Sequence, residues 1–81
     1  MKVTVQLFAI ARESAGADRV EVELREPATV SALRQRLAAD FPPLRGVLEQ
    51  SRIAVDGSFA DGADMIQPGA EVACIPPVSG G

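Results

Sequence analysis

The sequence predicts an α+β domain: a mixed sheet crossed by one main helix, followed by a short tail that closes on two glycines. Three observations carry the prediction. Residues 2–8 and 19–24 alternate apolar and polar with the period of a strand. Residues 30–41 repeat apolar side chains at helical spacing, and residues 71–75 form a last strand-like run leading straight into the tail. A chain of 81 residues has room for one domain around one small core.

From Lys2 to Phe8, Val3, Val5 and Leu7 fall on one face and Thr4, Gln6 and Phe8 on the other, which makes a strand with one strongly apolar side. Ala9 to Ala15 is expected to form a short helical segment, broken over 16–18 at Gly16. Arg19 to Leu24 alternates again, with Val20, Val22 and Leu24 inward and Arg19, Glu21 and Glu23 outward, as in a half-buried antiparallel strand paired with the first. Thr29 is a good N-cap for a helix from Val30 to about Asp40, because its hydroxyl can accept from a first-turn N–H. Val30, Leu33 and Leu37 make the apolar stripe, Ala38 and Phe41 extend it, and Arg34, Gln35 and Arg36 fall mostly on the opposite, solvated side. Pro42-Pro43 ends the helix, and Leu44, Val47 and Leu48 predict one further helical turn packed on the core. Ile53-Ala54-Val55, Asp56-Gly57 and Ser58-Phe59-Ala60 read as a tight hairpin, since Asp-Gly suits the primed turn that matches strand twist. A loop from Asp61 through Pro68-Gly69 precedes the last strand, Glu71 to Ile75.

A hairpin, a helix that crosses its sheet and a return to a parallel strand make the β-grasp arrangement of ubiquitin-like domains. The handedness of such crossovers puts the last strand beside the first. Residues 1–75 are then the β-grasp domain and residues 76–81 a flexible tail leaving a central, well-anchored strand.

Composition excludes several function classes. Histidine is absent, which removes Ser-His-Asp and Cys-His catalysis and the commonest zinc ligand, and no metal site is expected. A net charge of −3 with three aromatic residues is wrong for a nucleic-acid surface. No apolar run reaches membrane-spanning length and no signal-peptide block follows Lys2. The single cysteine allows no internal disulfide and suits a reducing cytoplasm.

The ending Pro76-Pro77-Val78-Ser79-Gly80-Gly81 is the most informative segment. Glycine carries no side chain to widen the tail, so Gly80 and Gly81 fit a narrow channel in another protein. The prolines fix φ and stiffen the base, which lowers the conformational freedom lost on docking. Fully extended, the segment reaches roughly 20 Å. An ordinary frayed end is the plain alternative, disfavoured by the proline pair and the strand before it. The expected design is a carboxyl group on an arm, presented to other enzymes.

Leu7-Phe8-Ala9, Arg12-Glu13, Gly16, Thr29-Val30, Leu33, Leu37, Ala54-Val55, Gly69, Glu71-Val72-Ala73 and the run from Ile75 to Gly81 together resemble the MoaD-type sulfur carriers, the small subunits of molybdopterin synthase. The closing motif is the specific part. Asp56 stands where the family usually has Asn, Pro68-Gly69-Ala70-Glu71 where it reads Asp-Gly-Asp-Glu, and Cys74 and Ile75 where aromatics are common. The resemblance implies a sulfurtransferase subunit without a tightly bound cofactor. An activating enzyme would use ATP to adenylate the Gly81 carboxylate, and a sulfur donor protein would convert it to a thiocarboxylate. The larger catalytic subunit, its expected partner in a heterotetramer, would supply the acid-base residues. Sulfur would then pass to cyclic pyranopterin monophosphate to build the dithiolene.

The remaining candidates divide between packing and docking. Cys74 shares a strand face with Val72 and is expected in the core. Asp61 and Asp64 are too few for a cation site, and for Arg34, Arg36, Arg45 and Arg52 a share in docking stands beside the plainer expectation of solvated surface. Phe8 fits either an exposed anchor for the large subunit or burial under residues 9–18, whereas Phe59 favours the interface. Ile75, Pro76, Pro77, Val78 and Ser79 are expected to line the docked tail's contacts. Rival functions are a sulfur carrier for thiamine thiazole, a ubiquitin-like modifier conjugated through Gly81, and an inert interaction module.

Overall fold

The computed structural model describes residues 1–77. The first two strands, β1 (Lys2–Leu7) and β2 (Arg19–Glu23), pair antiparallel with Val3 opposite Val22 and Val5 opposite Val20. Burial alternates residue by residue along both, as the period of two requires. Between them α1 (Ala9–Ala15) is a helix of seven residues, closed by Gly16 in the left-handed conformation.

Helix α2 (Val30–Asp40) starts where the sequence places it, and three of its first N–H groups find partners outside the helix ladder. The Thr29 hydroxyl accepts from the Ala32 N–H at 3.2 Å, while the Val30 and Ser31 N–H groups donate to the carbonyls of Asp64 and Gly62, each at 2.9 Å. Three donors that a helix start leaves unmet are thereby satisfied. A Cβ at Gly62 would lie 2.5 Å from the Ser31 hydroxyl, which would have to rotate away. Pro42–Leu44 forms a single 3-10 turn, followed by α3 (Arg45–Gln50), which buries Leu44 and Leu48 as expected.

Strands β4 (Arg52–Val55) and β5 (Ser58–Ala60) form the Asp-Gly hairpin, with φ of 51° at Asp56 and 84° at Gly57, both positive as a primed turn demands. Strand β7 (Val72–Ile75) lies parallel to β1 and antiparallel to β4, so the described sheet runs in the order β2-β1-β7-β4-β5. Two short strands, β3 (Ala28–Thr29) and β6 (Met65–Ile66), make a separate antiparallel ladder that sequence periodicity did not anticipate.

The core lies between the inner face of the sheet and the helices. Val5, Val30, Leu33, Leu37, Leu44, Ile53, Val72 and Cys74 are its largest fully buried side chains. Each such aliphatic residue contributes about 1.5–3 kcal/mol of transfer free energy. One expectation is corrected here. Arg34 is not solvated surface: it is half-buried and donates to the Leu48 and Ser51 carbonyls, each at 2.7 Å. Its long side chain crosses from α2 to the end of α3 and caps carbonyls that helix geometry leaves open there.

Candidate functional site

The site is built on the outer face of the sheet, opposite the helices. Register fixes its composition: Gln6 stands beside Ala73, Ala73 beside Ala54, and Ala54 beside Phe59, forming one row across four strands. Small side chains in the middle of that row leave a depression of about 260 Å³, walled by Phe8, Phe59 and Ile75 and reached by Glu71 at its far end. Phe8 is 45% exposed and Phe59 is 53% exposed, large values for aromatic rings on so small a body. The open choice for Phe8 is therefore resolved toward exposure.

Local backbone explains the outward turn of Phe8. It caps α1 in an extended conformation, and Ala9 follows with φ of 51°, in the left-handed region that costs a non-glycine residue about 1–2 kcal/mol. Phe8 thus keeps the strand alternation, on the same outward face as Gln6, and the chain leaves it only at Ala9, with the Phe8 ring at the rim of the depression. On the other rim, the guanidinium of Arg52 lies 3.8 Å from the centroid of the Phe59 ring. Such a cation–π contact is worth about 0.5–1 kcal/mol at an exposed site and favours this orientation of the ring.

The start of β7 is tied to the hairpin turn. Asp56 donates its backbone N–H to the Glu71 carbonyl at 2.8 Å, and its carboxylate accepts from the Glu71 N–H at 2.9 Å. An acid in place of the more usual Asn thus serves as a turn clamp. Strand β7 is held on both edges, by β1 up to Cys74 and by β4 up to Ile75. Pro76 is buried and Pro77 exposed, so the described chain leaves the body at Pro77. Val78, Ser79, Gly80 and Gly81 lie outside the described residues.

Directly under this exit, Cys74 is buried, and burial pushes its thiol above the ordinary value, while Ser51 and the Arg34 charge pull weakly the other way. A neutral thiol is a poor nucleophile, so Cys74 is a packing residue, as expected. Among the described residues no group of His, Cys, Asp or Glu could hold a metal ion; Asp64 instead accepts from the Asp61 N–H at 2.7 Å within its own loop. No helix among them is long and apolar enough to cross a membrane.

Sequence reasoning named Phe8, Phe59 and Ile75 without the floor between them. Ala54 and Ala73 were read as ordinary strand residues, and only the long-range register reveals what they share.

The ThiS family pattern matches residues 5–81. The chain belongs to the ThiS family. It is 38% identical over 81 residues to the molybdopterin synthase sulfur carrier subunit of Escherichia coli (strain K12), covering 98% of this chain and 99% of that one. It is 34% identical over 83 residues to the subunit of the same name from Chlamydomonas reinhardtii, covering both chains completely. Among solved structures, SAMP1 from Haloferax volcanii superposes with a TM-score of 0.90 at 28% identity, over all of both chains. The β-grasp architecture expected from the order of elements is thus also that of its relatives.

Proposed function

We propose that this ThiS-family chain is the sulfur carrier subunit of molybdopterin synthase. The observation that carries the reading is full-length similarity to subunits of that name, combined with the closing run from Ile75 to Gly81. Residues 1–75 act as the rigid body and residues 76–81 as the arm that visits its partners.

The chemistry belongs to the Gly81 carboxylate. A carboxylate is a poor electrophile, so an activating enzyme first joins it to AMP at the expense of ATP, releasing pyrophosphate. The terminal sulfur of a donor protein's persulfide attacks the adenylate and expels AMP. A second thiol then cleaves the resulting acyl disulfide, leaving a thiocarboxylate and a disulfide between that thiol and the donor. The thiocarboxylate sulfur is anionic near neutral pH, and the anion is the reactive form. The arm then enters the large subunit, which supplies the acid-base residues that a chain without histidine lacks, and sulfur passes to cyclic pyranopterin monophosphate. ATP is the activating enzyme's ligand and this chain holds no cofactor tightly. The outer sheet face, with Phe8, Phe59 and Ile75, docks on the large subunit while the arm is inserted. A single buried thiol is compatible with work in a reducing cytoplasm.

Intact-protein mass spectrometry after incubation with ATP, an activating enzyme and a sulfur donor tests the reading. The expected result is a mass gain equal to exchanging one carboxyl oxygen for sulfur, localised to Gly81. Conjugates to lysine that survive denaturation and thiol reduction, with no such gain, would move the function to protein modification.

A further inference from the structure

We infer that Arg52 is the polar anchor of the docking face, and that the large subunit meets it with a carboxylate; this rests on the synthase reading above. The guanidinium carbon lies over the Phe59 ring at 3.8 Å from its centroid, a contact that uses the cation's charge and none of its five N–H donors as hydrogen bonds to oxygen. Among the described residues those donors make no hydrogen bond or ion pair, whereas Arg34 and Arg45 are bonded to backbone carbonyls and Arg36 to Asp40.

Position turns an exposed arginine into a requirement on the partner. Arg52 stands opposite Ile75 in the β4–β7 ladder, at the end of the face from which the arm departs. Phe59 and Ile75 lie on either side of it, so any surface that covers those apolar groups also strips water from the cation. A guanidinium desolvated without a partner is strongly unfavourable, and a carboxylate matches its fork with two parallel hydrogen bonds. The acid lining the same depression, Glu71, lies at the opposite end of β7. The face therefore has a basic end and an acidic end, in a protein whose net charge is −3. A partner must match that order, which selects it and fixes the direction in which the arm points.

Calorimetric titration of the full chain into the purified large subunit tests this. Wild type is expected to bind, and Arg52→Glu to bind at least about 30-fold more weakly, the loss typical of breaking a desolvated charge pair. Arg52→Lys, which keeps the charge but not the fork, falls between. Reversing one acidic residue of the large subunit should restore binding to Arg52→Glu and weaken binding of the wild type. Arg52 is exposed, so melting temperatures should hardly change, and Arg52→Gln serves if the glutamate variant is less stable. Binding of Arg52→Glu or Arg52→Gln within about 2-fold of wild type would overturn the inference and leave the synthase reading intact. Failure of the wild type to bind would overturn both.

Discussion

Strands β4 and β7 carry different chemistry on their two sides. Inward, Ile53, Val72 and Cys74 are closed off from water and packed under the helices. Outward, one residue further along the same strands, Ala54 and Ala73 form a shallow floor between exposed aromatic walls. The inner side is filled to the density of a core, and the outer side is left short of side-chain volume. Since both sides share one backbone, the difference is a matter of side-chain choice alone. It teaches that the sheet's inner face determines whether the domain folds, and its outer face what it meets.

That division can be broken by substitutions in adjacent positions. Ile53→Ala removes a buried side chain and should cost about 2–5 kcal/mol, lowering the melting temperature by roughly 4–8 °C per kcal/mol in calorimetry. Phe59→Ala should leave stability within about 1 kcal/mol but weaken association with the large subunit by about 2 kcal/mol, as for an aromatic hot spot. A fall in stability as large as that of Ile53→Ala would erase the distinction. Thr4→Lys, on the polar β1 part of the outer face, should change stability by no more than about 0.5 kcal/mol and binding not at all, which bounds the docking area.

A smaller effect sharpens the inner side. Burial raises the Cys74 thiol in the folded state, so the unfolded chain ionises first as pH rises. The stabilising contribution is complete below the unfolded thiol value, about 8.5, and is lost progressively as pH climbs toward the folded one. Urea denaturation between neutral and alkaline pH should show that decline in wild type, with a shallower one in Cys74→Ala.

Much of this was legible in the sequence because the relevant signals are local. Val3, Val5 and Leu7, the Thr29 cap and the Asp56-Gly57 turn each act over a few residues, and each element formed as their physics dictates. The two-residue strands Ala28–Thr29 and Met65–Ile66 were missed because two residues define no period. Arg34 was misplaced for another reason. A helical wheel gives its direction from α2 but not the α3 carbonyls that wait there. The Gln6-Ala73-Ala54-Phe59 row escaped because its members come from four strands and meet only through register.

The alanines on that row have an evolutionary consequence. Alanine is a weak strand former, and a β-branched residue at 54 or 73 would suit the sheet better. Such a change would also raise the floor and close the space between Phe8 and Phe59. Strand propensity and recognition therefore pull in opposite directions at these two positions. Selection for thermal robustness alone would be expected to erode this face first.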